Sequence, residues 1–163
     1  MQRQLAELES VLTMLVAEHR RLLTFTDAQQ AAMRSVDLGA LDAAVNGQEA
    51  CRLRITTLDV RRRGLVVQLT KGQRVEQPVT LTKLADFYPQ RRQPLFKLRD
   101  ELRDVASTIS NRTKVSSRLA GAVLGHLNTV VRLLAGAVER AGVYTKAGVP
   151  RVASRIGIME AVG

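Results

Sequence analysis

Residues 2–36 read QRQLAELESVLTMLVAEHRRLLTFTDAQQAAMRSV, and neither glycine nor proline interrupts them. Leu5, Leu8, Leu12, Leu15, His19 and Leu22 step by threes and fours, the spacing that keeps side chains on one face of an α-helix. A helix of about 35 residues would be roughly 50 Å long, well beyond the usual globular helix, so a long hairpin or coiled-coil bundle is expected.

The chain beyond it repeats the pattern. Asp37 reads as a turn residue and N-cap, with Gly39 loosening the backbone beside it. A second helix is expected over 38–70, its seam formed by Leu41, Ala44, Gln48, Cys51, Ile55, Leu58, Arg62, Leu65 and Leu69. Two long helices joined by so short a turn must lie antiparallel. Residues 71–79, with Gly72 and Pro78, form the clearest boundary. Thr80 then caps a short helix carrying Leu81 and Leu84, and Phe87 and Tyr88 are expected to plug the bundle end before Pro89. A third long helix begins near Pro94, a residue suited to a first turn, with Leu95, Leu98, Leu102, Val105 and Ile109 as its seam. Residues 110–117, SNRTKVSS, are compatible with a break, a kink or a solvated face. The fold class is therefore all-α: an antiparallel bundle of three long helices with one short connecting helix. Residues 1–143 form the bundle domain, and 144–163 are expected as a flexible carboxy-terminal tail.

Composition narrows the function. Hydrophobic residues make 45% of 163, enough for a core, while aromatics are 3% and tryptophan is absent, so that core must be aliphatic. A single cysteine, Cys51, excludes an internal disulfide and fits a reducing, cytoplasmic setting. Residues 2–9 are polar and periodic, which predicts no signal segment, and Arg132 interrupts the best apolar run, which argues against a membrane span. The net charge of +10 raises nucleic acid as a partner. Its basic clusters, Arg61, Arg62 and Arg63 with neighbours, and Arg91, Arg92, Lys97 and Arg99, carry no interleaved aromatics for base stacking and read better as solvated helix faces.

No constellation for catalysis emerges. His19 and His126 sit on separate helices within apolar seams, Cys51 has no histidine near it in sequence, and no metal-ligand spacing or phosphate loop is present. The chain is read as a non-enzyme without cofactor, metal or small-molecule substrate.

One stretch carries more apolar surface than a single core requires. Residues 119–143, LAGAVLGHLNTVVRLLAGAVERAGV, hold one seam of Leu119, Val123, Val130, Leu133 and Ala137 and a second of Leu124, Leu127, Val131, Leu134 and Val138. A second stripe must be buried in the bundle, pair with another copy, or receive a partner.

The order of these pieces resembles the FlgN family of flagellar export chaperones. Glu18-His19-Arg20-Arg21-Leu22-Leu23 is similar to the family's Glu-His-x-x-Leu-Leu segment, followed by Gln29, Gln30, Met33, Asp37 and Leu41 in the family's order. Thr80-Leu81-Thr82-Lys83-Leu84 resembles its Thr-Leu-x-x-Leu element, and Leu102, Ile109 and Asn111 its third-helix pattern. Residues 144–148, YTKAG, resemble the Tyr-Gly-x-x-Gly ending, with Thr145 in place of the first glycine, and 154–161 the apolar tail. The resemblance implies a chaperone that binds the carboxy-terminal helix of hook-associated proteins, the hook–filament junction subunits, and delivers them to the flagellar export gate. An amphipathic helix would dock on anchors at helical spacing, for which Leu119, Val123, Leu127, Val130, Val131, Leu134 and Val138 are the candidates. Tyr144 is the export-gate contact that the resemblance implies. Two alternatives stand beside it: a basic helical nucleic-acid binder, and a coiled-coil adaptor for which a second copy of the chain is a candidate partner.

Overall fold

The computed structural model describes residues 2–71 and 79–142, with side-chain surroundings given as far as 136. Helix α1 spans Gln2–Ser35, α2 Leu38–Lys71, α3 Leu81–Phe87 and α4 Arg92–Gly142, with a 3-10 turn at Pro89–Arg91 before α4. Among the described residues there is no strand, and the three long helices and one short helix are those expected. The chain divides into two units, Met1–Ala120 and Gly121–Gly163, described separately below.

In the first unit α1 and α2 form an antiparallel hairpin. Its direction is evident from pairs such as Gln4 with Gln68, Glu7 with Arg61, and Glu18 with Arg54. The turn is only two residues, and its chemistry is specific. Asp37 N–H donates to the Ala32 carbonyl at 3.0 Å, closing the end of α1 in a Schellman pattern. That closure places Val36 in the left-handed region at φ 55°, where a β-branched residue is disfavoured. Asp37 caps α2 as expected, its Oδ1 accepting from Ala40 N–H at 2.9 Å. Gly39 lies inside α2, so the conformational load expected of the glycine falls on Val36 instead.

The core is aliphatic. Leu5, Leu8, Val11, Leu12 and Leu15 of α1 pack with Leu65, Val66 and Leu69 of α2, Leu84 and Ala85 of α3, and Leu95 of α4. Four of these leucines belong to the α1 seam that fixed the reading of the fold. Of the two aromatics expected as a plug, only Tyr88 serves: it is buried, and its hydroxyl donates to the Leu69 carbonyl at 3.2 Å. Phe87 faces solvent as the last residue of α3. Residues 79–88 thus form a lid over the open end of the hairpin.

Residues 92–120 of α4 run parallel to α1, as the pairs Glu9 with Arg91, Glu101 with Arg20, and Gln30 with Ser116 show. The helix continues unbroken through 110–117, which form a mostly solvated face. Ser116 alone of that stretch is buried, and Gln30 Nε2 donates both to its hydroxyl at 3.1 Å and to the Arg112 carbonyl at 3.0 Å. Toward the α1–α2 turn the packing is mixed: Thr26, Gln30, Gln48 and Ser116 are buried there beside Ala32, Met33 and Ala44, and residues of all three helices line a 210 Å³ cavity.

Candidate functional site

The candidate surface lies in the second unit, on the α4 residues 121–136. Val123, Leu127, Val130 and Leu134 follow one another by four, three and four, which holds them on one face of the helix. Leu124 and Val131 flank that face on one side and Leu133 on the other. Gly121, Gly125, Asn128 and Arg132 occupy the opposite side. Val123 is half-buried, and the other six apolar side chains are between 39% and 66% exposed. A row of that many leucines and valines left in water is costly, since apolar burial is the main favourable term in association. Gly121 and Gly125 have no atom within 4 Å of a built Cβ, so another helix could approach that side closely.

Of the expected site residues, Leu119 belongs to the first unit and is half-buried. Val123, Leu127, Val130, Val131 and Leu134 are brought together on the exposed face. Val138 and Tyr144 lie outside the residues whose side chains are described, as does the tail 144–163. Leu124 and Leu133, read as seam residues but left out of the expected site, are among the most exposed of the group. An 18-residue window of α4 is long and apolar enough, by length and composition, to cross a membrane, which refines the expectation that Arg132 would prevent it. None of that window is buried.

Electrostatics in the first unit bear on the nucleic-acid alternative. Arg61 pairs with Glu7 at 2.6 Å, and Arg62 and Arg63 share Asp59 at 2.7 Å each. Arg91, Arg92 and Arg99 pair with Glu9, Asp86 and Asp100. Contrary to the expectation of no interleaved aromatic, Phe96 lies within this cluster, but Arg92 and Arg99 stack on its ring and occupy it. Each of these arginines already has a carboxylate partner, as solvated helix faces do. Arg54 bonds Glu18 at 2.8 Å and holds that carboxyl below its usual range. Burial works against the charge on Asp59, but Arg62 and Arg63 outweigh it and keep its carboxyl low as well. His19 Nδ1–H donates to the Leu15 carbonyl at 2.7 Å, and Cys51 is fully buried beside Arg54, so both act structurally. No group of three metal-ligating side chains occurs among the described residues.

The family model described as FlgN protein matches residues 1–151, nearly the whole chain and both described units. The chain belongs to the FlgN family. FlgN-family proteins are chaperones of flagellar assembly that bind flagellar proteins, and the all-α bundle is the fold expected from the resemblance. No curated protein and no solved structure matches the chain.

Proposed function

We propose that this FlgN-family chaperone binds the carboxy-terminal helical segment of hook-associated proteins, the hook–filament junction subunits, and delivers them to the export gate. The observation that carries the reading is the row Leu127, Val130, Val131 and Leu134, large apolar side chains at helical spacing that stand in water. An amphipathic cargo helix would lay its own apolar stripe along that face, with Leu124 and Leu133 as flanking anchors and Val123 at its edge. Leu119 and Val138 extend the same seam in sequence, and Tyr144 is kept as the export-gate contact. Such docking holds the cargo helix away from premature assembly by covering the surface that it would otherwise use. FlgN is a chaperone family, and no catalytic role is assigned to any residue.

The reading is tested with the full chain and a fluorescent peptide carrying the junction protein's last helical segment. Apolar docking predicts a Kd that changes less than about threefold between 50 and 300 mM salt, because little of the contact is charge with charge. A steep loss of binding with salt, as when phosphates are neutralised, or no binding to the peptide at all, would overturn it.

A further inference from the structure

The 210 Å³ cavity where α1, α2 and α4 meet serves neither the aliphatic core nor the cargo reading. Helix α1 gives it Thr26 and Gln29, α2 Gln48 and Arg52, and α4 Thr113 and Ser116. Within each helix the two residues are three or four apart and so share one face. They continue seams that hold leucine elsewhere in the first unit, and all three helices turn polar at the same level. Thr26, Gln48 and Ser116 are no more than 7% exposed, and a buried polar group is costly unless it is hydrogen-bonded. The volume exceeds the ~30 Å³ share of one water and falls below the ~300 Å³ at which pockets for drug-sized ligands begin.

Counting donors and acceptors identifies the occupant. The Thr26 hydroxyl donates to the Leu22 carbonyl, and Gln48 Nε2 donates to the Phe25 carbonyl and to Gln29 Oε1. Ser116 Oγ accepts from Gln30, but its own proton has no acceptor among the described residues. The Gln29 amide nitrogen and the hydroxyls of Thr113 and Ser117, which also line the cavity, are equally without partners there. Arg52 adds the charge. The other arginines of α2, Arg54, Arg61, Arg62 and Arg63, each pair with a carboxylate, and Arg52 alone does not. No aspartate or glutamate lines the cavity. A guanidinium above spare N–H and O–H donors, with no carboxylate, suits an anion and repels a metal ion. The donors come from three helices rather than from one plane, which favours a tetrahedral oxyanion over a flat carboxylate.

We infer that this cavity binds a small tetrahedral oxyanion, phosphate or the phosphoryl group of a small phosphomonoester, with Arg52 as its cation. The ion bonds α1, α2 and α4 together and binds only the folded chain, so it stabilises the bundle by mass action. Every lining residue lies in the first unit, and none is a cargo candidate, so the inference is independent of the cargo reading.

The full chain is titrated with inorganic phosphate, glycerol 3-phosphate and acetate, with chloride holding the ionic strength constant. Calorimetry should show saturable phosphate binding, with the side-chain amide resonances of Gln29 and Gln48 shifting along the same curve. The Tm should rise and level off as the site fills. Arg52→Gln should weaken binding at least about tenfold and abolish the rise in Tm, while melting like the wild type without phosphate. Arg103→Gln, which removes another exposed arginine without an ion pair among the described residues, should change Kd less than about twofold. Glycerol 3-phosphate binding as well as phosphate supports a phosphomonoester, and phosphate binding alone supports the free ion. Absence of saturable phosphate binding overturns the inference, as does acetate binding as tightly as phosphate. Equal weakening by Arg103→Gln overturns it too, because the ion would then be reading net charge. So does a rise in Tm that persists in Arg52→Gln, since phosphate also stabilises proteins by exclusion from their surfaces.

Discussion

Truncating Leu127 and Leu134 to alanine separates a docking face from internal packing, and its size can be worked out beforehand. Fully burying a leucine is worth about 1.5–3 kcal/mol. Leu127 is 49% exposed and Leu134 61%, so roughly half to three fifths of that gain is still open to a partner. Each truncation should then cost about 1–2 kcal/mol of cargo binding, and the pair about 2–3 kcal/mol, roughly 30- to 150-fold in Kd. The fold should barely respond. The exposed part of each side chain contributes nothing to the folded state, and alanine is the better helix former. A surface change within about 0.5 kcal/mol moves the Tm of a chain this size by no more than about 2 °C. The contrasting control is Leu12→Ala, fully buried in the first unit, which should cost about 2–5 kcal/mol of stability. Calorimetric titration with the junction protein's carboxy-terminal helix, beside thermal melts of the same variants, reads both quantities. A Kd within threefold of the wild type at unchanged Tm would show that cargo does not use this face. A Tm falling as far as that of Leu12→Ala would show that the leucines are core.

Two glycines of α2 should respond in opposite directions to alanine. Nothing lies within 4 Å of a Cβ built on Gly64, so Gly64→Ala should stabilise by about 1 kcal/mol through helix propensity, whereas a Cβ on Gly47 would meet the Phe25 ring at 2.5 Å. Gly47→Ala should therefore lose that gain to overpacking of about 1–3 kcal/mol and melt lower, as calorimetry would show. Val36→Gly should raise stability by about 0.5–1 kcal/mol in a denaturant titration, because a left-handed β-branched residue costs about 1–2 kcal/mol and glycine returns part of that as chain entropy. Arg54 holds the Glu18 carboxyl below its ordinary range, so that pair stabilises the fold above the unfolded glutamate pKa of about 4.3 and is lost as pH falls through the lower folded value. Arg54→Gln should accordingly flatten the acid limb of the Tm–pH profile and leave the slope above pH ~6 unchanged.

Much of the bundle was legible because its signals are local. Leu5, Leu8, Leu12 and Leu15 repeat at helical spacing over about three turns, and all four are buried. Asp37 could be read as a cap because a short carboxylate before a helix has few other uses. The α2 seam was legible even through Gln48 and Arg62, since periodicity survives a polar member. Other features depended on what lies across from them. Adjacent Phe87 and Tyr88 look alike in sequence, but only Tyr88 finds the Leu69 carbonyl. The turn demanded a left-handed residue, and the Schellman geometry put that demand on Val36 rather than on the nearby glycine. Polar 110–117 was compatible with a break or a face until Gln30 was seen to satisfy Ser116.

The sequence by itself determined that this chain is helical, where α1 and α2 turn, and, through the order of its motifs and the family match over 1–151, that it is a flagellar export chaperone. Tertiary structure decided which apolar stripes are core and which are surface. The leucines of α1 and of 119–134 have the same spacing and the same hydrophobicity, yet Leu8 and Leu12 are sealed by α2 and α3 while Leu124, Leu127 and Leu134 remain in water. Periodicity states that a helix has an apolar face. Whether that face is covered depends on residues far away in sequence, because burial is a property of the assembled surface and not of the segment.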